Sequence, residues 1–170
     1  MGTKKKQTVG SPRWLRITLH TLLVLVLLLN PLSLRLMALL TAVAYGLPPD
    51  VFYRQIIAES SFRPFVRSHR GAIGLGQVQP VTARYVCAVC PAFLLYVPPV
   101  NLAISAAYTR YLMNKYDGNT SLSLAAYNWG ESNVDRRLKQ KLPSIVPAED
   151  YRWLFADVPE TYTFISRILD

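Results

Sequence analysis

The chain has 170 residues, 51% of them hydrophobic, and a formal net charge of +9, a length that suits one globular domain with its own core and a short appendage. The charge is a terminal feature: Lys4, Lys5, Lys6, Arg13 and Arg16 precede every acid, Asp50 is the first acid, and from Leu36 onward thirteen Lys or Arg face ten Asp or Glu. A surplus of about +3 over that part gives no call for a nucleic-acid partner.

Residues 1–13 read as a basic cytoplasmic tail and residues 14–34 as a transmembrane or signal-anchor helix. From Ile17 to Leu29 only Thr18, His20 and Thr21 interrupt the apolar run, and its apolar context widens from Trp14 to Leu34, close to the roughly 20 residues that a spanning helix needs. Five cations lie on its N-terminal side and only Arg35 follows closely, so the positive-inside rule sets Met1 in the cytoplasm and residues 35–170 outside. The expected location is the inner membrane, with a single N-terminal anchor and the domain in the periplasm. Ala42-Val43-Ala44 also offers the small-residue pattern of a cleaved signal peptide. That pattern lies far beyond the apolar run, and cutting there would remove the first helix of the domain.

Beyond the anchor the chain reads as all-α. Leu36 to Tyr45 is a helix stopped by Gly46, and Pro48-Pro49-Asp50 opens a second, since glycine suits a C-terminal cap and proline a first turn. The second helix carries Phe52, Ile56 and Ile57 inward and holds Glu59 in its last turn. Asn101 to Tyr116 and Ser121 to Asn128 are further helices, Lys139 to Pro147 is a polar connection, and Tyr162 to Leu169 is a closing amphipathic helix. Cys87 and Cys90 sit as Cys-x-x-Cys. A zinc site would need two more ligands, and the only histidines are His20 and His69, so neither metal nor cofactor is expected. A local disulfide is open to the pair in an oxidising compartment, and two small buried or loosely paired thiols are the simpler reading.

The stretch from Glu59 to Ala83 places one carboxylate at a helix end and follows it with a loop dense in glycine, arginine and serine, which is how a cleft wall is built. At that end the helix contributes partial negative charge, and Ile56, Phe62 and Phe65 offer apolar atoms. Both effects penalise the ionised form and raise the pKa, as general-acid cleavage of a glycosidic bond requires. An isolated Glu-Ser would be read as an ordinary surface pair.

Glu59-Ser60-Ser61-Phe62, Ser68, Gly71-Ala72-Ile73-Gly74-Leu75-Gly76-Gln77 and Pro80-Val81-Thr82-Ala83 resemble the first motif of the soluble lytic transglycosylase family. Asn101-Leu102, Tyr108, Ala125-Ala126-Tyr127-Asn128-Trp129-Gly130, Val134 and Pro159-Glu160-Thr161 ahead of Phe164-Ile165 follow in that family's order. The resemblance covers about Leu36 to Leu169, so residues 35–170 are read as a lytic transglycosylase domain. It implies a lysozyme-like helical fold and cleavage of the β-1,4 bond between N-acetylmuramic acid and N-acetylglucosamine in peptidoglycan, leaving a 1,6-anhydro end. By the same resemblance Glu59 matches the catalytic acid, which then serves as base towards the sugar's own C6 hydroxyl, with no second carboxylate needed. Between Glu59 and Asp117 there is no other acid, whereas two-carboxylate glycosidases require one; Asp117, Glu131 and Glu160 remain available from other elements. Ser68, Gln77, Tyr127 and Asn128 match positions that line the sugar cleft, and hydroxyl, amide and aromatic groups suit N-acetyl and hydroxyl substituents. Gly71, Gly74 and Gly130 read as turn devices, and Asn101, Tyr108 and Thr161 as structural.

Three departures stand out. Methionines usually flank the family's glutamine, where this chain has Gly76 and Gln79, which predicts a more open and polar cleft floor. A small residue usually follows the Tyr-Asn pair, where this chain has Trp129, and a tyrosine usually stands near Phe164. Tyr85 to Pro99 fits no motif and is read as a cleft rim or partner surface. The expected partners are peptidoglycan glycan strands, the membrane, and a secretion, conjugation or pilus apparatus for which the wall is opened. The alternatives are a wall-binding or assembly component on the same fold without catalysis, and a hydrolytic muramidase.

Overall fold

The computed structural model of the protein describes residues 12–141 and 149–170. Nearly all of the basic tail, and residues 142–148 of the polar connection, lie outside the described residues.

Helix α1 spans Arg13–Leu29 and α2 spans Pro31–Ala44. The break between them is chemical: Asn30 is extended, its side chain accepts from the backbone N–H of Leu32 and Ser33, both at 3.0 Å, and Pro31 occupies the first helical turn. The apolar segment drawn over residues 14–34 is therefore two helices, and its last residues belong to the domain, where Leu34 is buried. No single described helix is long and apolar enough to cross a membrane. The bent pair Arg13–Val26 and Pro31–Ala44, meeting at 63°, passes by length and composition.

Helix α3, Pro49–Ser60, packs on α2, burying Phe52 and Ile56 against Leu34, Ala38 and Ala42. Ile57, expected inward, is exposed instead. Past α3, Ser61 and Phe62 both take left-handed backbone angles, φ 52° and 59°, turning the chain sharply into the glycine-rich loop. That loop folds on itself through two isolated antiparallel bridges, Arg67 with Ile73 and Ile73 with Val78, which are the only extended pairings among the described residues. Helix α4, Pro80–Val86, leads to the Cys87–Cys90 pair, which is disulfide-bonded, and a 3-10 turn at Ala92–Tyr96 delivers the chain into α5, Pro98–Lys115.

Helix α5 is the axis of the domain, with Leu102, Ala106 and Leu112 fully enclosed. Helices α6, Thr120–Trp129, α7, Glu131–Lys141, and α8, Pro159–Leu169, with a 3-10 turn at Arg152–Phe155, complete the far side. There Leu122, Leu124, Ala126, Tyr151, Phe155 and Ile165 form one core cluster. The residues expected as polar connection from Lys139 onward begin inside α7. That helix buries only Val134 and is tied down by charge: Lys115 bridges to Glu131 and, at 2.7 Å, to Asp135, while Arg137 pairs with Asp157.

Candidate active site

A cleft of about 760 Å³ opens where the end of α3, the glycine-rich loop, the end of α6 and one face of α8 meet. Glu59, Ser68, Gln77, Tyr127 and Asn128 all line it, although nearly seventy positions of chain separate the first from the last. Two buried side chains hold its walls. Asn101, on α5, donates to the carbonyls of Ile73 and Leu95 at 2.8 and 2.9 Å, and accepts from the Gly76 N–H at 2.8 Å. Gln55 on α3 is hydrogen-bonded to Thr109 on α5 at 3.1 Å. A buried amide satisfied this fully fixes the loop to the central helix, because any rearrangement leaves polar groups unpaired.

Glu59 is half-buried, and among the described residues no donor bonds to its carboxylate. Burial pushes its pKa from 4.5 to about 8, and the negative charge of Glu160 adds to the rise. Its acid is therefore largely protonated at neutral pH. The apolar surroundings differ from the expected ones: Phe65 is exposed, and Ala58, Ala72 and Phe164 line the cleft with Glu59 instead.

The other residues are each half committed. The Ser68 hydroxyl accepts from the Ala72 N–H at 3.0 Å, which leaves its own proton to donate. Gln77 takes a positive φ of 47° and donates its amide to the Gly74 carbonyl at 3.0 Å, so its amide oxygen remains as an acceptor. Tyr127 donates to the Gly76 carbonyl at 2.8 Å, and burial raises its pKa strongly, keeping it a neutral phenol. Asn128 accepts from the Thr161 hydroxyl at 2.9 Å, leaving its amide hydrogens as donors.

Gly76 does not open the floor as expected. It is buried, and a Cβ there would overlap the Ser105 hydroxyl, so Ser105 fills the space that a side chain at position 76 would take. Trp129 turns away from the cleft, edge-on to Phe155 and under the Arg137 guanidinium at 4.7 Å. Phe164 does line the cleft, whereas Tyr162 is exposed outside it.

Sequence reading names Glu160 as an available acid and Phe164 within the last motif, but misses Thr163, Arg167, His69 and Arg70 as cleft residues. Glu160, Thr163, Phe164 and Arg167 line the cleft from one face of α8, at the i, i+3, i+4, i+7 spacing that could have revealed them. His69 and Arg70 line it from the loop beside Ser68. Of the other acids, Asp117 lines a separate groove beside Gly46, and Glu131 is held by Tyr111 and Lys115. Glu160 is thus the one further carboxylate among the described residues that reaches the cleft.

The Transglycosylase SLT domain family matches residues 38–143. The soluble lytic murein transglycosylase of Escherichia coli strain K12 is 34% identical over 82 residues, which are 45% of this chain and 13% of that protein. The structure of a lytic transglycosylase from Pseudomonas aeruginosa, an inactive glutamate-to-glutamine mutant, matches with a TM-score of 0.70 and 28% identity, over 82% of this chain and 23% of that one. The 70 kDa soluble lytic transglycosylase from Escherichia coli matches with a TM-score of 0.69 and 24% identity over the same shares, a likeness of fold. The chain therefore spans less than a quarter of the length of each of these relatives.

Proposed function

The chain belongs to the Transglycosylase SLT domain family, and from that premise we propose that it is a peptidoglycan lytic transglycosylase with Glu59 as its single acid and base. The neutral carboxyl of Glu59 protonates the glycosidic oxygen between N-acetylmuramic acid and N-acetylglucosamine, and the bond from C1 to that oxygen breaks. The carboxylate so formed takes the proton from the muramic C6 hydroxyl as its oxygen closes on C1. A 1,6-anhydro end results, water is not consumed, and Glu59 is again protonated. The observation that carries this reading is an acid raised to about pKa 8 in a cleft edged by the uncommitted groups of Ser68, Gln77 and Asn128 and by the Tyr127 ring. Those groups suit the N-acetyl and hydroxyl substituents of a glycan.

Digestion of purified sacculi with the protein and with Glu59→Gln, followed by product masses, tests it. Anhydro ends that disappear with the variant are the expected result. Absence of soluble fragments from either protein would instead assign the fold to wall binding alone. Hydrolysis is the second reading, and Glu160 is the observation that favours it, because a second carboxylate in the cleft is what a water-activating base would need. Reducing ends would select it.

The proposal extends to location. The basic N-terminal residues, the bent apolar pair α1 and α2, and a disulfide at Cys87–Cys90 together support a membrane-attached protein whose domain works on the oxidising, non-cytoplasmic side. An attached wall-cutting domain suits local opening of the wall beside a secretion, conjugation or pilus apparatus.

A further inference from the structure

We infer that the outward face of α2 lies in the interfacial layer of a lipid bilayer, so that the catalytic domain rests directly on the membrane instead of hanging from it on a tether. The inference builds on the membrane attachment proposed above. Helix α2 buries Leu34, Ala38 and Ala42 against the domain. Its opposite side carries Leu32, Leu36, Leu40 and Val43, which are 74%, 54%, 60% and 65% exposed, with Leu39 beside them. At 100° per residue these five fall within an arc of about 100° whose centre lies about 150° from the middle of the buried stripe. The helix is thus apolar on two sides, and only one of them has a protein partner.

Two observations select lipid as the occupant of the other. Beyond the bend, exposed apolar side chains recur on α1, where Ile17, Leu19, Leu22, Leu23, Val24 and Val26 are exposed all round the helix. A flat face on a second copy would cover one side of such a helix, whereas lipid surrounds it. Charge agrees: no acid occurs before Asp50, and on the side of the membrane where the domain works Arg35 stands exposed near the edge of the α2 arc. That pattern complements an anionic membrane surface.

The consequence for the cleft is geometric. Only four residues separate α2 from α3, and the two pack side by side, so the chain doubles back. Phe62, just past the end of α3, packs in one cluster with Leu34 and lies 6.0 Å from the Arg35 guanidinium. The end of α3, which carries Glu59, therefore lies towards the first turns of α2. The axis of α3 stands one helix layer, about 10 Å, above that of α2. The substrate it meets is glycan lying close against the membrane surface.

The test uses the full chain in vesicles of phosphatidylcholine and phosphatidylglycerol, with a fluorophore on single cysteines introduced as Leu36→Cys, Leu40→Cys, Val24→Cys or Lys139→Cys; the native pair is disulfide-bonded and takes no label. Shallow nitroxide lipids should quench the labels at Leu36→Cys and Leu40→Cys about threefold more than the label at Lys139→Cys, and iodide should quench them about threefold less. Iodide access at both α2 positions with the Val24→Cys label in lipid overturns the inference and leaves the attachment standing. Iodide access at all three overturns both. Protection of the α2 labels from iodide and from lipid alike would assign the face to a second protein chain and overturns it as well. The sacculus assay is read separately, so none of these results bears on the chemistry.

Discussion

Replacing Glu59 by glutamine should change the pH dependence of folding as well as abolish activity. The folded chain binds this proton more tightly than the unfolded one, so the contribution of Glu59 to stability is intact below about pH 4.5 and is lost as the pH rises through about 8. A shift of that size separates the ionised and neutral forms by on the order of 5 kcal/mol. The side chain keeps part of its surface in the open cleft, and solvent screening there reduces the expected effect to about 2 kcal/mol. Glutamine carries no charge at any pH. The difference in unfolding free energy between variant and parent should therefore grow by about 2 kcal/mol in favour of the variant between pH 5 and pH 9. Urea unfolding in detergent at pH 5, 7 and 9 measures it, and fixed differences in packing cancel because only the change with pH is read. Parallel pH profiles for the two proteins would show that the folded state does not penalise the carboxylate, and would refute the account of Glu59 as an acid held neutral by its surroundings.

Glu160→Gln removes the charge that adds to the rise in the Glu59 pKa, so the alkaline limb of the pH–rate profile should move to lower pH, by less than burial contributes. Asn101→Ala strips three buried hydrogen bonds and should cost about 3 kcal/mol by denaturant unfolding. Gly76→Ala drives a methyl group into Ser105 and should cost about 2 kcal/mol. Reduction of Cys87–Cys90 opens a four-residue loop and should lower stability by about 2 kcal/mol, while turnover of sacculi stays unchanged because neither cysteine lines the cleft.

What could be read from the sequence is what one chain segment or one helix face carries. Glu59 to Gln77 is continuous, and Tyr127 with Asn128 falls at one helix end, so five cleft residues were legible before the fold was. The resemblance supplied the step between the two segments, which spacing alone does not. The break at Asn30-Pro31 was written in its capping residues, yet the leucine content on both sides outweighed it. Helix α7 was illegible for a different reason: with Val134 as its one buried side chain, it has little apolar periodicity, and Lys115 and Asp157, which hold it, lie on other elements. Of the charged rim, Glu160 and Arg167 share one face of α8 and were legible as such, whereas Arg70 sits in a loop without periodicity and meets that face only in the fold.

The contact between Gly76 and Ser105 also constrains how such a cleft can change over generations. The two positions share a space that holds one side chain, so a glycine next to serine and a bulky residue next to glycine are alternative ways of filling it. A route from one to the other has a preferred direction. Ser105→Gly first leaves a small hole, costing on the order of 1 kcal/mol, into which a methionine at position 76 could then grow. Taken in the reverse order, the first step meets an occupied site.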